Sequence, residues 1–390
     1  MLGAIYTGLS GMNAYSDGLM MISNDVANLN SPGYKGNFLS FNSLFSRGGA
    51  FLGSGGGQTG YGVSMGSSFI DFSQGQLQQT SNPLDLAVQG NGFLTLLNGS
   101  NTFYARTGSF AVDKDGYISD AQGNHLAILN ADDETVPFNI NAFKTSDPSA
   151  TTSITLSGNL ADDGTTGTVS DIKVFDSRGT EHDWTVSFAK SDDGNPNDWT
   201  ATVTDSDGTQ VGTGTVSFLP DGSIDPSTST LSCSETVTGA NDLSVNLDLS
   251  AVTSLSGDNT VAASSVDGNA MGVLNGVGVT ADGQVELSYS NGKTQNEGFV
   301  AMANFQDPQQ LERLSGGLYR DPTGQPPRYF ASGAGGMGTL ESGQLEASNV
   351  NLSSEFGELI LIERGFQACS QVVSISNEMI QTLFGMRGQG

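Results

Sequence analysis

The sequence predicts a mainly β protein with paired terminal α-helices, built as a discontinuous multi-domain chain. Three observations carry this. Apolar residues recur every three or four positions at both ends, short alternating runs fill the middle, and one interior stretch is much more acidic than the rest. A chain of 390 residues has room for two or three domains.

At the start, Leu2, Ile5, Leu9, Met12, Tyr15, Leu19, Ile22, Val26 and Leu29 form one apolar seam. The spacing fits a helix of about 28 residues. Ser31-Pro32-Gly33 ends it, because the residue before proline is pushed out of the α region. At the other end Leu359, Ile362, Phe366, Cys369, Val373, Ser376, Ile380 and Leu383 keep the same spacing, with Ser376 the one polar member. Ser353 or Ser354 is the expected cap and Gly385 the expected close. A lone amphipathic helix does not hold in water, so each seam needs a cover. Pairing of the two ends with each other is the economical arrangement; packing of each on its own neighbouring domain is the alternative.

Between the ends, strands dominate. Gly48 to Gly62 holds eight glycines in fifteen residues and reads as a loop. Apolar runs follow at Phe69–Phe72, Leu84–Val88 and Phe93–Leu97, broken by turns at Asn91-Gly92, Asp115-Gly116 and Gln122-Gly123. Lys173 to Thr180 reads as a hairpin arm and turn leading into the alternating Trp184–Phe188. Strands resume at Val285–Tyr289, with a turn at Asn291-Gly292, and at Phe299–Ala303. The predicted division is residues 1–30 and 353–390 as a helical, coiled-coil-like end domain and 31–68 as a linker region with the Gly-rich loop. Residues 69–146 and 278–352 form a β-rich core, and 147–277 an outer domain of barrel-like or sandwich form.

Charge narrows the function classes. The net charge is −27, from 14 basic and 41 acidic residues, and no basic cluster occurs. Nucleic-acid binding needs lysine and arginine to displace counterions, and anionic membranes need the same, so both are set aside. Residues 147–277 carry 19 acidic and three basic residues and are expected to be the most exposed part. The N-terminal stretch has no basic or continuous apolar segment of a secretory signal, and no run approaches a membrane-spanning length.

Catalytic and cofactor motifs find little support. Gly333-Ala334-Gly335-Gly336-Met337-Gly338 fits a dinucleotide fingerprint in letters, yet Pro326-Pro327 precede it and a poor helix start follows. A flexible turn is the better reading. Asp113-Lys114-Asp115-Gly116 with Asp120 has its glycine two places too early for a calcium loop, and a hairpin turn explains it more simply. His125 and His182 with Cys233 and Cys369 make no plausible zinc set, and the two cysteines lie in segments of such different character that a disulfide is not expected. No enzyme activity, cofactor or metal is expected.

Three segments resemble the flagellar rod and hook family of axial proteins. The first is Ser10-Gly11-Met12 followed by Leu19, Ile22, Asn24, Val26-Ala27-Asn28 and Gly33-Tyr34-Lys35. It is similar to the family's N-terminal signature, with Asn28, Gly33, Tyr34 and Lys35 forming the motif turn. The second runs from Leu84 to Phe93 and on through Tyr104, Arg106, Gly108, Phe110, Asp113 and Gly116. The third is Gly343 to Leu352, leading into the last helix. There Glu363-Arg364-Gly365-Phe366 stands where the family usually has Gln-Arg-x-Tyr, and Cys369 where Asn is common. The acidic insertion, with Asp282-Gly283 and Tyr289 to Gln295, resembles the hook branch rather than the shorter rod subunits.

The resemblance implies a non-enzymatic subunit of a curved hollow tube, a flexible joint passing torque from rod to filament. It implies self-assembly through the seam residues Leu2, Ile5, Leu9, Met12, Leu19, Ile22, Val26, Leu359, Ile362, Phe366, Val373, Ile380 and Leu383. Burial of each large side chain would stabilise the polymer by roughly 1.5–3 kcal/mol. The implied partners are further copies, a hook cap, the distal rod, the hook–filament junction proteins and the flagellar export apparatus. The implied location is the extracellular hook, reached without a cleaved signal. The competing classes are a distal-rod subunit and a secreted β-rich adhesin.

Overall fold

A computed structural model describes residues 2–45, 60–191, 195, 197–324 and 327–387. Two long helices bound the chain, α1 at Leu2–Ala27 and α2 at Leu352–Arg387, and the rest is strand, turn and short 3-10 helix. No helix among the described residues is long and apolar enough to cross a membrane.

The chain divides into two compact units. The first comprises Met1–Asn141, Val277–Glu286 and Asn296–Gly390; the second comprises Ala142–Gly276 and Leu287–Gln295. In the first unit, strand Asp85–Gln89 lies between Thr107–Ser109 and Thr339–Ser342, all antiparallel. The hairpin Phe93–Asn98 and Asn101–Ala105 pairs on one side with His125–Leu129 and Met302–Asn304, and on the other with Leu318–Arg320. Phe93, Tyr104, Leu311 and Tyr319 fill the core there. Phe305 meets the Tyr104 ring edge-on at 4.8 Å, the offset that aromatic quadrupoles favour.

The second unit is a sandwich of two four-stranded sheets. One runs Thr166–Phe175, Glu181–Lys190, Asp198–Thr204, Gln210–Ser217 in chain order, every pair antiparallel. The other has the order Thr230–Glu235, Leu243–Thr253, Ser153–Asn159, Ala262–Val266, with its central pair parallel. Alternation puts every second residue inward, with a step at the bulge between Val169 and Ile172. Trp184, Val186 and Phe188 on one sheet meet Val245, Leu247 and Leu249 on the other in a single buried core. Gly212 and Gly214 let the two sheets close up at one edge: a Cβ on Gly212 would sit 2.5 Å from Cys233 Sγ.

One turn recurs through both units. The Asp113 carboxylate accepts from the backbone N–H groups of Asp115 and Tyr117, both at 2.9 Å, while Gly116 takes φ of +83°. Asp120, Asp176 and Asp205 repeat the arrangement with Gly123, Gly179 and Gly208, and Asn130 repeats it with Asp133 in the left-handed position. The side-chain oxygen imitates a backbone turn, and the left-handed residue lets the strand return. Part of the acidic composition is therefore turn chemistry. Hydrogen bonds, chiefly from Tyr117 N–H, hold the Asp113 carboxyl below its ordinary range. Burial pushes the Asp176 carboxyl up, but the N–H groups of Thr180 and Arg178 outweigh it and the net direction is down.

Several sequence expectations meet corrections. Residues 31–68 are more than a linker: they contain strands Asn37–Phe38, Phe41–Phe45 and Gly60–Met65. Of the Gly48–Gly62 stretch, residues 48–59 lie outside the described residues. Neither Ser353 nor Ser354 caps α2; Asn351 Oδ1 accepts from Ser353 N at 2.9 Å and from Ser354 N at 3.4 Å. The helix also runs past Gly385 to Arg387, since a glycine without a following breaker only weakens a helix. The turn expected at Gly333–Gly338, by contrast, is there, between strands Arg328–Phe330 and Thr339–Ser342 and tied by Gly333 N donating to Gly338 O at 3.0 Å.

Candidate assembly site: the helix pair and the charged clasp beneath it

The terminal helices pack on each other through absent side chains. The buried positions of α1 are Gly8, Gly11, Ala14, Gly18, Ile22 and Asp25, a stripe at steps of three and four. A Cβ on Gly8 would stand 2.7 Å from Val373 Cγ2, one on Gly11 2.5 Å from Cys369 Sγ, and one on Gly18 2.9 Å from Ile362 Cδ1. From the other side, the Tyr15 ring lies where a Cβ on Gly365 would be, at 2.4 Å. Each interior glycine costs a helix about 1 kcal/mol relative to alanine. The return is backbone-close packing along α2.

This contact stripe differs from the predicted seam. Ile22 and Ile362 are buried, and Ile5, Met12, Leu19, Val26, Leu359, Val373 and Ile380 are half-buried on its flanks. Leu9, Phe366 and Leu383 stay exposed, at 46%, 38% and 50%. The side chain of Leu2 lies outside the described set. Beyond the seam α2 carries a second apolar face with Phe356, Ile360, Val372, Ile375 and Met379 all exposed, and α1 adds Tyr6 and Met20. Such a face stays unsatisfied in a single copy.

A two-stranded ribbon, Phe41–Phe45 with Gly60–Met65, lies along α1. Val63 N donates to Ser10 Oγ at 3.2 Å, and the Phe41 ring sits 5.4 Å from that of Tyr15. A Cβ on Gly62, which has φ of +105°, would collide with Ser10 Oγ at 2.0 Å.

Below α1 the motif turn is knotted into the β core. Gly33 takes φ of +70° and donates its N–H to Glu346 O at 2.7 Å. The Tyr34 hydroxyl donates to Asp25 Oδ1 at 2.6 Å and accepts from Asn24 Nδ2 at 2.9 Å. Asp25 also accepts from Asn37 N and Asn37 Nδ2, both at 2.9 Å, so the last turn of α1 is anchored. Burial, then the Asp25 hydrogen bond, raises the Tyr34 phenol above its ordinary value. Arg313 stacks 4.7 Å over the Tyr34 ring and donates to Lys35 O. Asn28 continues the helix end, its Nδ2 donating to Asn24 O at 2.9 Å.

Lys35 is the centre of the clasp. Its Nζ donates to Glu346 Oε1 at 2.6 Å and to Ser73 O at 2.7 Å, and both side chains of the ion pair are 0% exposed. Glu346 Oε1 also accepts from Gly75 N at 2.7 Å, and its Oε2 lies 3.5 Å from Arg106 Nε. The Arg106 guanidinium spends its other N–H groups on Gly92 O, Gln74 Oε1 and Val88 O. Burial lowers the Lys35 and Arg106 pKa values, and Glu346 pulls each partly back. Two buried cations thus share one buried carboxylate. Asn349 closes the clasp, with Oδ1 accepting from Gly36 N at 2.8 Å and Nδ2 donating to Asp71 O at 2.7 Å. At the start of α2, burial, then Asp25 and Glu358, push the Glu355 carboxyl up from its ordinary 4.5 to about 7.

Sequence reasoning named Asn28, Gly33, Tyr34 and Lys35 but gave no role to Arg106, Glu346 or Asp25. A charged letter carries no mark of burial. The available signal was scarcity: the chain has only 14 basic residues, Lys35 standing between Tyr34 and Gly36 and Arg106 between Ala105 and Thr107. Among the described residues no group of three or more histidine, cysteine, aspartate or glutamate side chains is placed to hold a metal ion.

Four family profiles match successive parts of the chain. They are described as "Flagella basal body rod protein" at residues 5–35 and "Flagellar hook protein FlgE/F/G D1 domain" at 87–168. The others are "Flagellar basal body protein FlaE D2 domain" at 129–269 and "Flagellar basal body rod FlgEFG protein C-terminal" at 341–386. The flagellar hook protein of Escherichia coli K12 is 28% identical, over 97% of this chain and 98% of that one. That of Rhizobium meliloti is 29% identical over 99% of both. A crystal structure of a Helicobacter pylori flagellar hook protein aligns at 13% identity and TM-score 0.48, over 69% of this chain and all of the other.

Proposed function

This chain belongs to the flagellar rod and hook family of axial proteins, and we propose that it polymerises into the curved hollow tube of the flagellar hook. The observation that carries the reading is the helix pair. Its inner faces meet through glycine, and its outer faces leave Phe356, Ile360, Ile375, Met379 and Tyr6 in water. Copies stacking on these faces bury the apolar surface, at roughly 25 cal/mol per Å². A contact between unlike faces whose rotation does not close on itself propagates as an open tube.

In this reading the seam residues and the motif turn are assembly residues, and residues 1–30 with 353–390 line the inner wall. Residues 69–146 with 278–352 make the middle layer, and 147–277 the outer one. Bending in each rotation lengthens and shortens the spacing between copies, which suits polar, sliding outer contacts. The role is structural, without catalysis. The hook cap, distal rod, junction proteins and export apparatus are the partners it calls for, and the extracellular hook, reached through the flagellar channel, is its place.

Electron microscopy of purified protein tests this. Curved tubes from the full chain, and none after deletion of residues 2–27 or 352–387, are expected. A deletion strain with rods but no hooks agrees. Missing rods, or unaltered motility, would refute the assignment.

A further inference from the structure

We propose that His182 is a proton-operated clamp between the two sheets of the second unit, closed when the imidazole is protonated and slack when it is neutral. His182 lies on strand Glu181–Lys190 of one sheet. Its Nδ1 is 3.0 Å from Oε1 of Glu235, the last residue of strand Thr230–Glu235 in the other sheet. Its Nε2 is 3.7 Å from Asp176 Oδ2, in the turn that precedes its own strand. Both ring nitrogens thus face a carboxylate, and the two carboxylates belong to different sheets. A neutral imidazole carries a single N–H and can serve one of them; the imidazolium serves both.

The surroundings hold the carboxylates in place. Glu235 Oε2 accepts from Trp184 Nε1 at 2.6 Å, and Trp184 is buried in the sandwich core. Asp176 is fixed by the backbone N–H groups of Arg178 and Thr180, both at 2.8 Å. The exposures of the His182, Asp176 and Glu235 side chains are 21%, 3% and 14%, so water competes weakly. His182 Nε2 is buried and makes no hydrogen bond, a cost that a charged ring offsets by attraction to Asp176. Other charges nearby are few. Arg178, in the same turn, donates to Gly239 O. Glu181 pairs with Lys173, whose strand neighbour in the ladder is Asp183, and Asp242 precedes Leu243, the ladder partner of Glu235.

Imidazole exchanges its proton in the range where environments near neutrality vary. The clamp therefore tightens the second unit in acid and loosens it above neutrality. The test uses the full chain carrying Trp199→Phe, which leaves Trp184 as the sole fluorophore, reporting from beside Glu235. The urea midpoint is expected to be higher at about pH 5.5 than at about pH 8 by about 0.5 M. His182→Gln should abolish the difference, whereas His125→Gln, in the other unit, should keep it. An undiminished difference in His182→Gln overturns the proposal. The Trp184 indole N–H resonance of the otherwise unaltered chain gives a second reading. It should move over the same pH range, and a stationary resonance overturns the proposal whether or not the variant folds.

Discussion

The helix pair and the second unit solve opposite problems. The sandwich closes on itself: Trp184, Phe188, Trp199 and Leu249 are at most 1% exposed, and two sheets bury one core. The helices cover only one side of each other. Thirteen of the 22 exposed large hydrophobic side chains among the described residues lie on α1 and α2, against four in the second unit. One region is complete as a single copy, while the other is finished only by neighbours. Between the helices and the rest of the first unit sits a third kind of packing, the fully buried Lys35–Glu346 pair. Its value is geometric, since a buried ion pair is weak evidence for net stability.

The largest effect that would sharpen this contrast is expected at the clasp. Glu346→Gln strands Lys35 and Arg106 as buried cations, and should cost about 3–5 kcal/mol. Far-ultraviolet circular dichroism should show early loss of the first unit. Tryptophan fluorescence, which reports only Trp184 and Trp199 of the second unit, should keep its midpoint. Loss of both signals together would break the separation.

Next comes the contact stripe. Gly11→Leu places a side chain where Cys369 Sγ sits 2.5 Å from a Cβ. Overpacking of this kind costs about 1–3 kcal/mol. Tube formation should fail in sedimentation assays while the tryptophan transition is unchanged; normal tubes would show that the helices do not need this approach.

Ionic strength should act more gently. With a net charge of −27, copies repel one another. Salt shortens the screening length from about 30 Å at 0.01 M to about 8 Å at 0.15 M. Light scattering should show faster polymerisation over that range, and no acceleration would place the charges away from the contacts.

The smallest effect is expected at Glu355. Its carboxyl is raised from 4.5 to about 7, so the folded state prefers it protonated. The stabilisation is complete below about 4.5 and is lost as pH rises through about 7. Helix-pair melting, followed by circular dichroism, should therefore fall as pH rises across that window. Glu355→Gln should flatten the dependence; an unaltered slope would assign it elsewhere.

How much of this was legible in the sequence depends on what each residue type signals. The two helices were, because apolar periodicity scores side chains that are present. The surface by which they touch was not, because Gly8, Gly11 and Gly18 contribute by having none. The alternating strands of the second unit were legible. The parallel pairing of Ser153–Asn159 with Leu243–Thr253 was not, since alternation identifies a strand and leaves its partner open. Turns at Asp115-Gly116 and Gln122-Gly123 could be read from their glycines. That Asp113 and Asp120 wrap the backbone in the same way only emerged from hydrogen bonds.

The clasp also sets a schedule. Lys35 and Glu346 are separated by 311 positions, and closing a loop that long costs about 3 kcal/mol more than closing one of ten residues. During synthesis Lys35 has no counter-ion until nearly the whole chain has left the ribosome. The second unit, complete at residue 295, has all its strands well before Glu346 is made. The two parts of the molecule thus reach maturity in a fixed order, sandwich first and clasp last, and a truncated chain never reaches the second stage.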